Sequence, residues 1–244
     1  MQAMIFAAGK GTRLKPLTDV IPKALVPVAD MPLLQRVYLR LLDAGAHKVV
    51  VNVHHHARQL TGFIDLLRAR YGRDILVSDE SASLLETGGG VKKAQSLFSS
   101  AEPILIHNCD ILSNVNLAQF YEQAMGADAT LLVSERQTTR YLVFDDDMRL
   151  IGWKNVLTGE VKGRGDGHLY AFSGIHAISP TLFSLMNDKW SDRFPIMDFY
   201  LAHCAELNIR GILKPDLRLL DVGKLDTLAS ADEFLKGLNC QSTD

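Results

Sequence analysis

Cysteine is scarce and badly spaced for a framework. Cys109, Cys204 and Cys240 are odd in number and include no C-x-x-C pair, which excludes a zinc ribbon and leaves no disulfide scaffold to expect; the thiols are expected to be reduced. Neither sign of charge dominates, with 26 lysines and arginines against 28 aspartates and glutamates. A general nucleic-acid binder needs a basic excess, so any polyanion this chain meets has to be held by a local group of cations. No apolar run is long enough to cross a bilayer, and the start MQAMIFAAGKG reads as a strand entering a loop, without the small-residue cleavage site of a secretory leader. A cytoplasmic protein with no membrane and no nucleic-acid partner is expected. The sequence has no G-x-S-x-G elbow, hence no hydrolase serine of that kind.

Against these absences stands a regular rhythm. Short β-rich runs at 2–7, 47–53, 74–78, 103–107 and 129–134 alternate with amphipathic stretches. Pro32 at a first turn, Leu34, Val37, Tyr38 and Leu41 at helical spacing and Gly45 past the end predict one helix, and 57–71 a second. The 244 residues can bury a substantial core. Their βαβ order predicts an α/β fold: a Rossmann-like, mostly parallel sheet flanked by helices, with ligands at the carboxyl ends of the strands. From about residue 140 the turn signals tighten, with DDDMR at 145–149, LTGE at 157–160 and then FSGIHAIS at 172–179. A small antiparallel lobe is therefore expected as an insertion over about 140–178 of an otherwise single domain, 1–244. Helices from about Thr181 and Ile196, a strand over 209–213 and a terminal helix from about Lys224 complete the expectation.

The stretch AAGKGTRLKPLT, residues 7–18, follows the first strand and gathers two glycines, two lysines and an arginine. Gly9 and Gly11 open a G-x-G-x-x-G, but Leu14 replaces the third glycine, which weakens a dinucleotide fingerprint. Lys10 precedes Gly11 instead of following it, which excludes a Walker A loop. What fits is a loop of bare backbone N–H groups beside Arg13 and Lys15: a phosphate clamp or, taken alone, a glycine turn with solvated cations. In IPKALVPV, 21–28, Lys23 lies between Pro22 and Pro27, which restrict the backbone and narrow the directions the cation can take. Arg13, Lys15 and Lys23 together carry enough positive charge for a triphosphate.

LLETGGGVKKA, 84–94, sets three glycines just before an expected helix. Bare backbone there lets a flat ligand such as a nucleobase come close, though such a run also serves as a mobile loop. The apolar runs ILIHNCDIL, 104–112, and LRLLDVGK, 217–224, carry Asp110 and Asp221 at strand ends. Each alone reads as a turn or cap residue. Two strand-end carboxylates in a protein with a polyphosphate clamp are what magnesium needs, since it takes one or two protein carboxylates and completes its octahedron with water and phosphate oxygens. The run His54, His55, His56 is not expected to ligate metal, because successive side chains diverge, and Cys109 has no cationic partner fixed by the sequence that would make it a catalytic thiol. Trp153 and Trp190 read as packing residues, with Trp153 beside Lys154 also able to line a sugar.

In that order, AAGKGTRLKPLT, PKALVPV, LETGGG, the strand-end NCD and the late DVG closely resemble the sugar-1-phosphate nucleotidylyltransferases over nearly the whole chain. Within them, the ETGGG form and the length, with no carboxyl-terminal β-helix, look most like the N-acetylmuramate-1-phosphate uridylyltransferases of peptidoglycan recycling; mannose-1-phosphate guanylyltransferases are the nearest competitors. The resemblance implies a nucleotide-diphospho-sugar transferase fold and a magnesium-dependent enzyme, a monomer or small homo-oligomer, that joins a nucleoside triphosphate, UTP by this reading, to a sugar 1-phosphate. It implies that Ala8, Gly9, Gly11, Thr12 and Arg13, with Gly88 and Asn108, bind the nucleotide, and that Arg13 and Lys23 act at the reacting phosphates. It further implies that Lys154 and Gly174 bind the sugar phosphate and that Asp110 and Asp221 hold Mg2+. Two departures stand out: the usual Pro-Lys-Pro reads Pro22-Lys23-Ala24, which loosens the turn, and the usual Glu-Lys sugar motif reads Trp153-Lys154, which leaves the sugar open. The competing class is a non-catalytic nucleotide-sugar-binding regulatory subunit. Such a protein is expected to lose its metal ligands first, whereas both aspartates, the arginine and the lysine are present.

Overall fold

The computed structural model describes residues 1–187 and 190–239; Cys240 lies outside them. The chain divides into two compact units, one formed by residues 1–84, 107–117 and 218 onward, the other by 85–106 and 118–217. No helix among the described residues is long and apolar enough to cross a membrane.

In the first unit the strands Gln2–Phe6, Lys48–Val53 and Asp74–Asp79 pair in parallel, with Met4 opposite Val50 and Val50 opposite Leu76. Ala3, Met4 and Ile5, like Val49, Val50 and Val51, are buried without alternation. That is why the first two strands have unbroken apolar centres: both faces of a parallel sheet are covered. The helix Leu33–Asp43 buries Leu33, Leu34, Val37, Tyr38 and Leu41 along one stripe and ends before Gly45, whose φ of 91° stops it. Ala57–Tyr71 is helical as its pattern predicts and closes on Gly72 at φ 58°.

Two three-residue strands, Ile111–Ser113 and Leu219–Asp221, pair antiparallel with Leu220 opposite Leu112 and Asp221 opposite Ile111. Beneath them Leu14, Val26, Val28, Leu33, Leu112 and Val222 form an apolar cluster, each no more than 3% exposed. Each loop that carries a predicted charged residue contributes to it: Leu14 adjoins Arg13, Val26 closes the turn of Lys23, Leu112 follows Asp110, and Val222 follows Asp221. Burying one such side chain stabilises by about 1.5–3 kcal/mol, so four loops are anchored by the apolar neighbours of their charged residues.

In the second unit Arg140–Phe144, Leu150–Asn155, Val161–Gly163 and His168–Ile178 form an antiparallel sheet, where the tightened turn signals predict it. Ala129–Ser134 pairs antiparallel with His168–Ile178 and parallel with Ile209–Leu213. Three local expectations need correction. The helix expected from Thr181 is a 3-10 stretch, Pro180–Ser184, opened by Ser179, whose side chain accepts from the Thr181 N–H. The terminal helix from Lys224, in the first unit, is broken into Leu225–Ala229 and Ala231–Asn239. The glycines 88–90 lie inside the helix Glu86–Ala94, not before it. A Cβ on Gly88 would come within 2.3 Å of the Phe194 ring, and one on Gly89 within 2.0 Å of the Asp192 carbonyl. Close packing against these residues thus outweighs the helix penalty of about 1 kcal/mol that each glycine brings.

Candidate active site

Beyond Phe6 the chain runs through buried Ala7 and Ala8 to exposed Gly9 and Lys10, and Gly11 at φ 64° turns it into the 3-10 turn Thr12–Leu14. Glycine is required at 11 for two reasons. The left-handed backbone disfavours a side chain, and a Cβ would lie 2.8 Å from Thr18 Cγ2 and 3.0 Å from Lys23 Cβ. Thr18 Oγ1 donates to the Gly11 carbonyl at 2.8 Å, closing the loop. With Leu14 buried, Thr12 and Arg13 are exposed. Lys15 is exposed, with its ammonium 2.8 Å from Asp19.

Lys23 heads the 3-10 turn Lys23–Leu25 behind Pro22. Alanine at 24 does not loosen this turn: Ala24 is fully buried, the Leu25 N–H donates to the Pro22 carbonyl at 2.8 Å, and the Val26 N–H donates to the Lys23 carbonyl at 3.1 Å. The Lys23 ammonium pairs with the Asp110 carboxylate, and the two side chains are only 12% and 15% exposed. Such shielding raises the strength of the pair well above that of a surface ion pair.

The backbone fixes Asp110 and Asp221 with respect to each other. The Cys109 N–H donates to the Phe6 carbonyl at 3.2 Å, the Val222 N–H donates to the Asp110 carbonyl at 2.8 Å, and Asp221 stands opposite Ile111. The two carboxyls come within hydrogen-bonding reach; partial burial and the Asp110 charge push the Asp221 carboxyl above its ordinary value, with Lys23 and Arg13 pulling it back. Two oxygen donors that repel each other are the kind of set a hard divalent cation relieves. Gly223 completes the arrangement. A Cβ there would lie 2.6 Å from Asp221 Oδ1 and 2.7 Å from Arg13 Nη2, so its bare backbone makes room for the guanidinium near the carboxylate. The sequence singles out Gly223 only within the DVG run and does not mark this role, because Arg13 lies near the opposite end of the chain.

Other reactive side chains are committed elsewhere. His54 Nδ1 donates to the Glu80 carbonyl at 2.8 Å, while His55 Nε2 and His56 Nε2 each face the Thr18 carbonyl at 3.3 Å. Among the described residues no group of three or more His, Cys, Asp and Glu side chains could hold a metal ion. Burial, then the charge of Asp110, pushes the Cys109 thiol up to about 12, far from the thiolate a nucleophile requires at neutral pH. Asn108 is half-buried at the end of Ile104–Asn108.

The remaining residues singled out in the sequence lie in the second unit. The Gly88 and Gly89 N–H groups both donate to the Phe194 carbonyl, at 2.8 and 3.2 Å, so they are not the open donors that a loop reading of the glycines offers a nucleobase. Lys154 is half-buried, opposite Tyr141 on one side and Val161 on the other. Lys162 Nζ lies 5.7 Å over the Trp153 ring and 3.2 Å from Asp198. Gly174, at φ 77°, sits in the irregularity between Phe172 and His176, where a bulged strand favours glycine. Trp190 packs on Phe194 and Phe199 with ring centroids 4.8 and 5.2 Å away.

A family model described as nucleotidyl transferase matches residues 2–149. The N-acetylmuramate alpha-1-phosphate uridylyltransferase of Neisseria meningitidis serogroup B is 34% identical over 187 residues, which are 75% of this chain and 77% of that protein. The protein of the same name from Caulobacter vibrioides is 43% identical over 112 residues, 44% of this chain and 45% of the relative, so that match spans less than half of its length. The inositol-1-phosphate CTP transferase from T. maritima shares the fold, with a TM-score of 0.77 at 15% identity over 98% of this chain and 96% of that one. The family match takes in the glycine loop, Lys23 and Asp110, and the chain belongs to the nucleotidyl transferase family.

Proposed function

We propose that this chain is a magnesium-assisted enzyme that transfers the uridylyl group of UTP to N-acetylmuramate 1-phosphate and releases pyrophosphate, in the cytoplasmic reuse of cell-wall sugar. The observation that carries the transfer chemistry is the cluster in the first unit, Arg13, Lys23, Asp110 and Asp221 on one apolar base. The substrate pair is supported by the similarity to the two uridylyltransferases.

In the reaction a sugar-phosphate oxygen bonds to the α-phosphorus of the triphosphate while the bond from that phosphorus to the bridging oxygen breaks, its electron pair leaving on pyrophosphate. Two polyanions must meet in line, so the obstacle is repulsion and the remedy is fixed positive charge. Backbone N–H groups of residues 8–12 and the Arg13 guanidinium hold the triphosphate. Lys23, shielded and stiffly mounted, acts on the oxygens of the phosphorus under attack. Asp110 and Asp221 would hold Mg2+, which when bound supplies counter-charge and orients phosphate oxygens. The attacking phosphate monoester, with a second pKa of about 6, is already largely ionised at neutral pH, so no histidine or cysteine has to take its proton. Asn108 and Gly88 are assigned to the nucleotide, and Lys154 and Gly174 to the sugar phosphate, by resemblance; the base is read by groups other than the Gly88 N–H, which Phe194 occupies.

Pyrophosphate release is to be measured with UTP and N-acetylmuramate 1-phosphate beside GTP and mannose 1-phosphate, each with Mg2+ and with the metal chelated. A higher kcat/KM for the first pair, lost on chelation, is expected. Preference for the second pair overturns the substrate assignment and leaves the transfer chemistry standing. Release from neither pair favours the non-catalytic binding protein.

A further inference from the structure

The first N–H past the end of Gln2–Phe6 belongs to Ala7, and it is taken up by a side chain. Phe6 stands opposite Asn52 in the parallel ladder, and the Ala7 N–H donates to Asn52 Oδ1 at 2.7 Å. The far end of the amide is fixed as well, since Asn52 Nδ2 donates to Glu80 Oε1 at 2.7 Å. The Glu80 backbone is tied in turn: its N–H donates to the Val53 carbonyl at 2.7 Å, and its carbonyl accepts from His54 Nδ1 at 2.8 Å and from the Ser83 N–H at 3.0 Å. Asn52 is 3% exposed and Glu80 fully buried.

A carboxyl group with no solvent access is costly to keep, and this one dictates which way the asparagine faces. Reversed, the amide would set its NH2 group against the Ala7 N–H and its oxygen against the Glu80 oxygen, losing both bonds inside a buried site. Only one orientation is satisfied, and in it an acceptor is aimed at the residue where strand becomes loop.

We infer that Asn52 and Glu80 are positioning residues for the nucleotide loop. The relay from Ala7 through Asn52 to Glu80 joins the carboxyl ends of the three parallel strands and fixes the direction in which the bare amides of residues 8–11 point. This rests on the nucleotide reading above. The relay touches no reacting atom and no residue assigned to the sugar phosphate, so its loss shows in the KM for the nucleotide and leaves the KM for the sugar phosphate alone.

The test is steady-state kinetics of the full chain with Asn52→Asp, Asn52→Ala and the double variants N52D/E80Q and N52A/E80Q. In N52D two carboxylates face each other, and the UTP KM is expected to rise about tenfold or more, the factor that 1.4 kcal/mol carries. Adding Glu80→Gln returns a donor to the aspartate, which still accepts from Ala7, so the double variant is expected to recover most of that loss. N52A lacks the acceptor and is expected to show a raised UTP KM with or without Glu80→Gln. A UTP KM unchanged in N52D and N52A overturns the inference, as does a double variant no better than N52D or a loss confined to kcat and melting temperature. If N52D does not fold, N52A decides by the same criterion. Wild-type protein that neither turns over UTP nor shows a thermal shift with it removes the nucleotide reading and the inference together; a wild type that responds while the variants match it removes the inference alone.

Discussion

Asp221 stands beside Asp110 because two short strands pair antiparallel: Asp221 faces Ile111, and the Val222 N–H donates to the Asp110 carbonyl at 2.8 Å. The spacing of the two carboxylates is therefore set by main-chain hydrogen bonds, and each side chain has only its own rotamers left to choose. Lys23 attends the first carboxylate, and Gly223 leaves room for Arg13 near the second.

Asp110→Asn is expected to lower turnover by more than about a hundredfold, the upper end of what losing a supporting partner of a metal ligand costs. The amide keeps an acceptor for Lys23 but loses the charge, so the fold survives with a loss of about 1 kcal/mol, or roughly 2–4 °C in melting temperature. Kinetics at saturating magnesium together with thermal melts check both halves; near wild-type turnover would sink the assignment of Asp110.

Lys23→Ala is expected to reduce kcat more than it raises the KM for nucleotide, because a cation at the reacting phosphorus does most where charge shifts during transfer. Lys23→Arg should not restore the rate, since a planar fork does not replace a compact ammonium in a shielded pair. An effect confined to KM would show that Lys23 only holds the ground state.

Gly223→Ala adds one methyl group where 2.6 Å separates it from Asp221 Oδ1 and 2.7 Å from Arg13 Nη2. Both side chains have to move, and a misplacement of about 1 Å near the chemistry costs on the order of a hundredfold in rate. The expected result is a large fall in kcat/KM with little change in melting temperature. Unchanged kinetics would show that Arg13 has no fixed place near Asp221.

A stability test is available in the second unit, where His176 Nδ1 lies 2.8 Å from the Tyr200 hydroxyl. Burial lowers His176 to about 3 and pushes the Tyr200 phenol up, so a neutral ring shares its hydrogen bond with a protonated phenol. The unfolded imidazole takes a proton near pH 6.5. Above that pH the group is neutral in both states and contributes no pH dependence. Below it the unfolded chain binds a proton that the native one refuses, and stability falls by up to about 1.4 kcal/mol per pH unit until about pH 3. Melting curves from pH 7 to 4 should be less steep in His176→Gln than in the wild type by that slope; parallel profiles would count against it.

Much of the first unit was legible in the sequence because its signals are local and long. The parallel strands are five or six residues long with apolar centres, and the helix Leu33–Asp43 has a five-residue stripe and a stop glycine. The charged residues of the site were legible as residue types, but their arrangement was not. Three-residue strands such as Ile111–Ser113 and Leu219–Asp221 have no period to detect. The Lys15 ammonium found a partner four residues away, which counting cations cannot reveal. The glycines 88–90 break helices by propensity, and only the presence of Phe194 and Asp192 against them explains why a helix is kept. Asn52 sits in a strand run like any other polar residue, and its partners, Ala7 and Glu80, come from two other strands' ends.

The pairing of Leu219–Asp221 with Ile111–Ser113 also sets when the two carboxylates can come together. Chains emerge from the ribosome amino-terminus first, and contacts between distant segments wait for the later one. A nascent chain that has not reached residue 219 already holds the glycine loop, Lys23 and Asp110, yet it lacks Asp221 and Gly223. On the proposed reading it carries the triphosphate clamp without the second carboxylate beside it. The carboxylate pair is therefore completed late in synthesis, when a three-residue strand docks.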